Sequence, residues 1–206
     1  HGLNMYKYIL RLDMLDTNTI HRLIQINDMV GNPYLPKVIP SIPGCSPNSI
    51  KYVYFGLLVV RDILEKKMHD IEFIEIGGGY GGQCVILHEL FRIFGIRITK
   101  YKLIDLDNVV HFQHKYVKAF QMQNDCEFIP FESYKEHTFS ENSYLLSSYC
   151  LSELTDDTRR DYYENLVQHI PHGIVIWNNP FCIDLPKSYN EISHSCSDIV
   201  GKFLTF

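Results

Sequence analysis

The hydrophobic positions of the chain change period near residue 70. Before it they recur at helical spacing. Residues 5–15 are apolar-rich and read as a helix. Thr17 or Asn18 caps a second helix with Ile20, Leu23, Ile24 and Met29 inward, ending at Gly31 before Pro33. Pro33, Pro36, Pro40, Pro43 and Pro47 punctuate an irregular stretch over 31–47, the best candidate for a linker or lid. Ser46 and Pro47 form an N-cap and first-turn pair. The helix they open carries Ile50, Val53, Tyr54, Leu57 and Leu64 on related faces, with Lys66 and Lys67 where the macrodipole favours cations.

Beyond residue 70, short apolar runs alternate with helical stretches. Strands are predicted at 71–76, 101–106, 126–129, 143–149 and 174–177. Helices are predicted at 82–94, ended by Gly95, at 108–122, and from Thr155 to about His169. This alternation predicts an α/β fold: a Rossmann-like, doubly wound, mostly parallel sheet with helices on both faces. Residues 1–70 form an N-terminal helical extension or lid, and 71–206 the core. After the fifth strand only Pro180 to Phe206 remain. That leaves room for a helix and at most one strand, Lys202 to Phe206, so the C-terminal strands are expected to be truncated.

The chemistry concentrates at the first turn of the core. Strand 71–76 runs into Gly77, Gly78, Gly79, Tyr80, Gly81 and Gly82, and a helix follows. Strand, glycine turn and helix open a nucleotide-binding unit, in which glycines let the backbone lie against a ligand. The spacing Glu75-x-Gly77-x-Gly79-x-Gly81 is not the G-x-G-x-x-G of dinucleotide sites. An acid at the strand end, Glu75, suits a cationic ligand such as S-adenosylmethionine better than a pyrophosphate. The bland alternative is a glycine turn that binds nothing. Tyr101-Lys-Leu-Ile-Asp105 reads as the next strand, and Asp105 lies where a nucleotide fold holds ribose hydroxyls. Asp105 is read as the binding acid and Asp107 as the cap of the following helix. Tyr80 either packs on the ligand or is a surface tyrosine.

These residues resemble the class I S-adenosylmethionine-dependent methyltransferases, which carry this glycine motif and this acid. More narrowly, the chain resembles the sugar O-methyltransferase family. The matching stretches are Asp28–Pro33, Ser46–Tyr52, Glu75–Gly82, Leu103–Leu106 and Ser147–Leu154. Lys51 and Ser148 stand where that family's pattern has arginine and asparagine. The resemblance implies methyl transfer to a hydroxyl of a sugar, sugar nucleotide or glycan. Its cofactor residues would be Glu75, Gly77, Gly79, Tyr80, Gly81 and Asp105. A sugar hydroxyl has a high pKa and needs a base or a metal during attack. Glu153, after the fourth strand, is the first candidate base, with Ser148 and Ser152 as substrate contacts. Glu153 could instead be a helix-entry acid before Thr155. His137 and Glu132 are weaker candidates.

Composition narrows the alternatives. Net charge is −5 with no Lys/Arg block, so no long grip on nucleic acid is expected. The apolar runs fall well short of the ~20 residues that span a bilayer, and no signal peptide is visible. Cys45, Cys84, Cys126, Cys150, Cys182 and Cys196 form no C-x-x-C, which reads as reduced thiols in a cytoplasmic setting. No close Cys/His pairing suggests zinc, and no divalent-metal ligand set is legible, although some sugar methyltransferases use a divalent ion. His111 and His114 share an exposed helix face. The oligomeric state is open, a homodimer being the form entertained. Two other functions compete. One is a degenerate methyltransferase fold kept as a binding or assembly module. The other is an amino-methyltransferase on nucleic acid, suggested by Asn178-Asn179-Pro180-Phe181, if the strand count is one too high.

Overall fold

The computed structural model describes residues 2–177, 190–191 and 202–206. Three helices come first: α1 (Gly2–Leu12), α2 (Thr17–Ile26) and α3 (Pro47–Glu65). The core follows as β1 (Ile71–Ile76), α4 (Gly82–Phe94), β2 (Ile98–Asp105), α5 (Asp107–Ala119), β3 (Cys126–Pro130) and β4 (Ser143–Ser148). It continues with α6 (Cys150–Glu153), α7 (Asp156–Asn165) and β5 (His172–Trp177), then β6 (Asn190–Glu191) and β7 (Lys202–Thr205).

One sheet holds the seven strands in the order β3-β2-β1-β4-β5-β7-β6. Strands β1 to β5 are mutually parallel, and β7 runs antiparallel between β5 and β6. The order reverses between β1 and β4. At such a switch point the loops leave in opposite directions and open a crevice at the carboxyl ends of the strands. The C-terminal segment supplies two strands where the sequence promised at most one. Strand β6 is two residues long, too short to show as a hydrophobic run.

The sheet separates two apolar layers. On one face Phe73, Tyr101, Leu103, Tyr144 and Ile174 pack with α1 to α4. Phe73 is its centre, with ring centroids 5.3 Å from Phe91, 4.9 Å from Tyr101 and 5.7 Å from Tyr144. On the other face Ile74, Ile76, Ile104, Leu145 and Val175 pack against Tyr134, Tyr162, Tyr163 and Leu166. Alternate residues of β1 thus face opposite layers, as a pleated strand requires.

The N-terminal helices share the first layer. Helix α3 is buried nearly all round because α1, α2 and α4 cover it. The stretch expected as linker or lid is pinned at three points, Ile39, Ile42 and Cys45, each at most 2% exposed, while Tyr34 is 85% exposed. Three local expectations fail. Asp16 caps α2, accepting from Thr19 N at 3.0 Å, because it precedes the first helical residue, which Thr17 occupies. Met29 is 75% exposed, since α2 stops at Ile26 and a 3-10 turn swings residue 29 outward. Leu64, near the end of α3, is also exposed. No helix among the described residues is long and apolar enough to cross a membrane.

Candidate functional site

The turn between β1 and α4 lies at the carboxyl edge of the sheet. Gly77 N–H donates to the Ile104 carbonyl at 2.9 Å, and Gly81 N–H to the Gly78 carbonyl at 3.0 Å. Gly77, Gly79 and Gly81 have φ of +75°, +56° and +95°, where side chains are disfavoured. Their surroundings differ. A Cβ on Gly77 would lie 2.2 Å from Cys150 Cβ. A Cβ on Gly79 would meet nothing within 4 Å, and Gly79 is exposed. Backbone is therefore laid bare at Gly79, while Gly77 is closed by the β4 loop.

Asp105 ends β2 and reaches this turn. Its Oδ2 accepts from Gly79 N at 3.2 Å and from Gln113 Nε2 at 2.9 Å, and its Oδ1 accepts from Leu106 N at 2.9 Å. A carboxylate offers about four lone-pair sites, so one remains, on Oδ1. Burial raises the Asp105 pKa, opposed by these hydrogen bonds. Asp107 is not the helix cap: it is the first residue of α5, and Leu106 occupies the cap position without a side-chain bond. Asp105 has taken that place through its bond to Leu106 N. The buried Gln113 Oε1 has no protein partner.

Glu75 lies under the turn, 1% exposed, accepting from Tyr101 Oη at 2.6 Å. Burial pushes its pKa up to about 7. It faces the layer of Phe73 and Tyr101, so it supports the turn from below and does not point out at a ligand. Tyr80 is turned away as well. Its hydroxyl accepts from Asn27 Nδ2 at 2.9 Å, and its ring packs edge-on against Tyr116 and Tyr52. Asn27 Nδ2 also donates to Ser49 Oγ at 2.7 Å, and Tyr116 Oη donates to the Asn27 carbonyl at 2.7 Å. Asp28 accepts from Ser46 N at 2.8 Å and Ser49 Oγ at 2.6 Å. Sequence reading missed Asn27, Ser49 and Tyr116 as one network that pins the glycine turn to the N-terminal helices.

The β4 loop closes the other side. Tyr149 holds φ +68°, left-handed for a non-glycine residue, and its N–H donates to the Ile176 carbonyl at 2.8 Å. Such strain gathers at functional sites. It seats Cys150 on Gly77, where burial pushes the thiol up to about 12, with Asp105 and Glu153 adding to the shift. Cys150 is thus no thiolate nucleophile at neutral pH. Ser148 is half-buried at the end of β4, and Ser152 Oγ donates to the Tyr149 carbonyl. Glu153 is exposed at the end of α6, and Thr155, not Glu153, caps α7. Lys51, from α3, lies 5.4 Å from the Tyr149 ring centroid. Burial lowers its pKa, while Glu153 opposes the shift. Arg159 braces the loop, donating to the carbonyls of Leu151 at 2.9 Å and Leu154 at 2.7 Å.

The structure therefore brings Gly77, Gly79, Asp105, Glu153 and Lys51 to one edge. Two expected residues, His137 and Glu132, fall elsewhere. His137 hydrogen-bonds Glu127 at 2.9 Å, drawn back along β3 as Lys102 binds the Thr138 carbonyl. Glu132 sits exposed on the 3-10 turn Phe131–Glu136. Tyr134, on the same turn, is buried against α7 with its hydroxyl on Asp161. Asn178 to Phe181 lies outside the described residues; in sequence it follows β5, the fifth strand as counted, so the miscount that the amino-methyltransferase alternative requires is not found.

A second constellation escaped the sequence. Cys84 and His88, one turn apart on α4, meet Cys126 of β3, all ligating atoms within 4.8 Å of one another. The sequence suggested no zinc through close Cys/His pairing; C-x-x-x-H on α4 was legible, but its partner Cys126 comes from a distant strand.

Comparison with solved structures agrees with the topology. The chain superposes on a protein of Methanococcus maripaludis described as an S-adenosyl-L-methionine-dependent methyltransferase, with TM-score 0.50 and 9% identity, covering 73% of this chain and 83% of that one. The fold is the Rossmann-like methyltransferase fold. Mitomycin 7-O-methyltransferase MmcR matches at TM-score 0.49 and 13% identity over 78% of this chain. An O-methyltransferase family protein from Burkholderia thailandensis matches at TM-score 0.49 and 11% identity over 77% of this chain. The chain spans 57% and 59% of the length of these two proteins. No protein-family model matches the chain, and no curated protein matches its sequence.

Proposed function

We propose that the chain binds S-adenosylmethionine over the glycine turn and transfers its methyl group to a hydroxyl of a sugar, sugar nucleotide or glycan. The observation that carries this reading is the hydrogen bond from Gly79 N–H to Asp105 at the switch point of the sheet, with open space beside Gly79. The residues fit a nucleoside. Gly77, Gly79 and Gly81 shape a turn that exposes backbone. Asp105 keeps one lone pair for a ribose hydroxyl, one fewer than the two-bond grip its residue type suggested. Glu75 and Tyr80 hold the turn in place.

When bound, S-adenosylmethionine supplies a methyl group already activated by its sulfonium. The protein then has to orient an acceptor and remove its proton. Glu153 takes that proton, and Lys51 is the cation near it. Ser148 and Ser152 hydrogen-bond the sugar. The sugar reading is supported by where the resembling stretches lie: Tyr52 of 46–52 meets Gly82, Cys150 of 147–154 meets Gly77, and Asp28 of 28–33 holds Ser49. The helices of residues 1–70 act as the cover of the site, and the free buried thiols suit a reducing, cytoplasmic setting.

The binding-module reading has one observation in its favour, the three protein donors that already occupy Asp105. A product screen separates the two. Purified protein with labelled S-adenosylmethionine and a panel of glycan and sugar-nucleotide acceptors should yield an O-methylated sugar. Cofactor binding without turnover on any acceptor would favour the module. Methylation of an exocyclic amine on nucleic acid would refute the sugar assignment.

A further inference from the structure

We propose that Cys84, His88 and Cys126 form a structural zinc site, distinct from the candidate methyl-transfer site. Cys84 and His88 sit four residues apart on α4, the spacing that puts two side chains on one helix face. Cys126 opens β3, paired in register with Tyr101. Cys84 Sγ lies 3.7 Å from Cys126 Sγ, and Cys126 Sγ lies 3.5 Å from His88 Nε2. Tetrahedral zinc holds sulfur at ~2.3 Å and imidazole nitrogen at ~2.0–2.1 Å, which sets ligand separations of about 3.8 Å for two sulfurs and about 3.6 Å for sulfur and nitrogen. Two of the three separations match those a zinc ion would impose, and the third lies within 4.8 Å.

The surroundings suit a dication. Two thiolates and a neutral imidazole balance its charge, so it can be buried without an uncompensated field. Cys84 is fully buried and Cys126 is 7% exposed, while His88 is part-buried, so the cluster reaches solvent on the His88 side. The His88 ring stacks on Tyr101 at 5.1 Å, which fixes its orientation. Soft sulfur ligands select zinc over magnesium or calcium.

The position argues for a structural ion. Tyr101 lies two residues back along β2 from Leu103, the partner of Glu75, so the cluster is set below the carboxyl edge where the glycine turn sits. An ion there would clamp α4, whose first residues complete that turn, to the β2–β3 side of the sheet. Tyr101 links the two, stacking on His88 and donating to Glu75.

The test uses the full chain, purified with reductant and stripped with a chelator, then titrated with cobalt(II) and zinc(II). One equivalent of cobalt should give thiolate charge-transfer absorption, abolished by one equivalent of zinc. X-ray absorption on the zinc form should report sulfur and nitrogen ligands. His88→Ala, at a part-buried position that spares the fold, should weaken zinc at least tenfold, the scale on which even outer-shell partners act. Cys126→Ser should weaken the charge-transfer band by about half, one of two thiolates being lost, and His111→Ala on α5 should change nothing. Failure of the reduced wild type to take up metal would overturn the proposal. So would undiminished zinc affinity in both His88→Ala and Cys126→Ser, an oxygen-only ligand shell, or a Cys84–Cys126 disulfide with no metal uptake after its reduction.

Discussion

Gly77→Ala and Gly79→Ala make the same chemical change two residues apart, and the structure assigns them different costs. Both positions hold positive φ, +75° and +56°. A side chain there costs roughly 1–2 kcal/mol on conformational grounds. At Gly79 the cost stops there, since an added Cβ meets nothing within 4 Å. At Gly77 it meets Cys150 Cβ at 2.2 Å and Sγ at 2.4 Å. Neither atom is the far end of a flexible chain, so α6 or the turn must move. Overpacking of that kind adds about 1–3 kcal/mol. Urea denaturation should therefore find Gly79→Ala about 1–2 kcal/mol less stable than wild type and Gly77→Ala about 2–5 kcal/mol less stable. Adding Cys150→Gly, which removes the clashing atoms, should return part of the Gly77→Ala loss but none of the Gly79→Ala loss. In affinity the order should invert per unit of stability lost. Gly79→Ala stays folded yet places a methyl where the nucleoside is proposed to lie. Equal destabilisation by the two substitutions, or no relief from Cys150→Gly, would refute the packing argument.

Other consequences can be checked independently. Glu75 is a carboxylate whose pKa rises from 4.5 to about 7 on folding, through burial. The folded state then binds more protons than the unfolded between those values, so the contribution is full below pH ~4.5 and lost as pH rises through ~7. At ~1.4 kcal/mol per pH unit this amounts to about 3 kcal/mol. In chelator-treated protein Glu75→Gln should flatten that slope and be the more stable form at pH 8; parallel curves for the two proteins would contradict the assignment. Glu153→Gln should lower kcat by roughly 10²–10⁴ with cofactor affinity unchanged, as expected for a lost general base; unchanged turnover would clear Glu153 of that role. Tyr116→Phe removes the buried donor to the Asn27 carbonyl and should cost about 1–3 kcal/mol in thermal or urea unfolding. A neutral result would mean that the network between α2 and the glycine turn does not anchor it.

Most of the architecture was legible because it rests on local pattern. The buried run of β1, the helix ended by Gly95 and the acids opening α7 each identify themselves within a few residues. Strand β6 was not legible, because two residues carry no period. The site divides the same way. The glycine turn and Asp105 are marked by spacing along the chain. The inward turn of Tyr80 and Glu75 depends on partners 53 residues before one, Asn27, and 26 residues after the other, Tyr101. No local pattern reports such pairings. Glu153 ends α6 two residues before Thr155, the cap of α7, a placement that the base and helix-entry readings share. The Cys84–His88–Cys126 cluster was half visible, since its helical pair has a regular spacing, but α4 meets β3 only through the tertiary fold.

Calorimetric titration of the full chain with S-adenosylmethionine and with its demethylated product tests the central claim most directly. The account predicts saturable binding of both ligands at one site, weakened at least tenfold in folded Gly79→Ala, the discrimination that one misplaced methyl can impose in a close-fitting pocket. Absence of binding by folded wild type, or equal affinity in Gly79→Ala, would contradict a nucleoside lying over this turn.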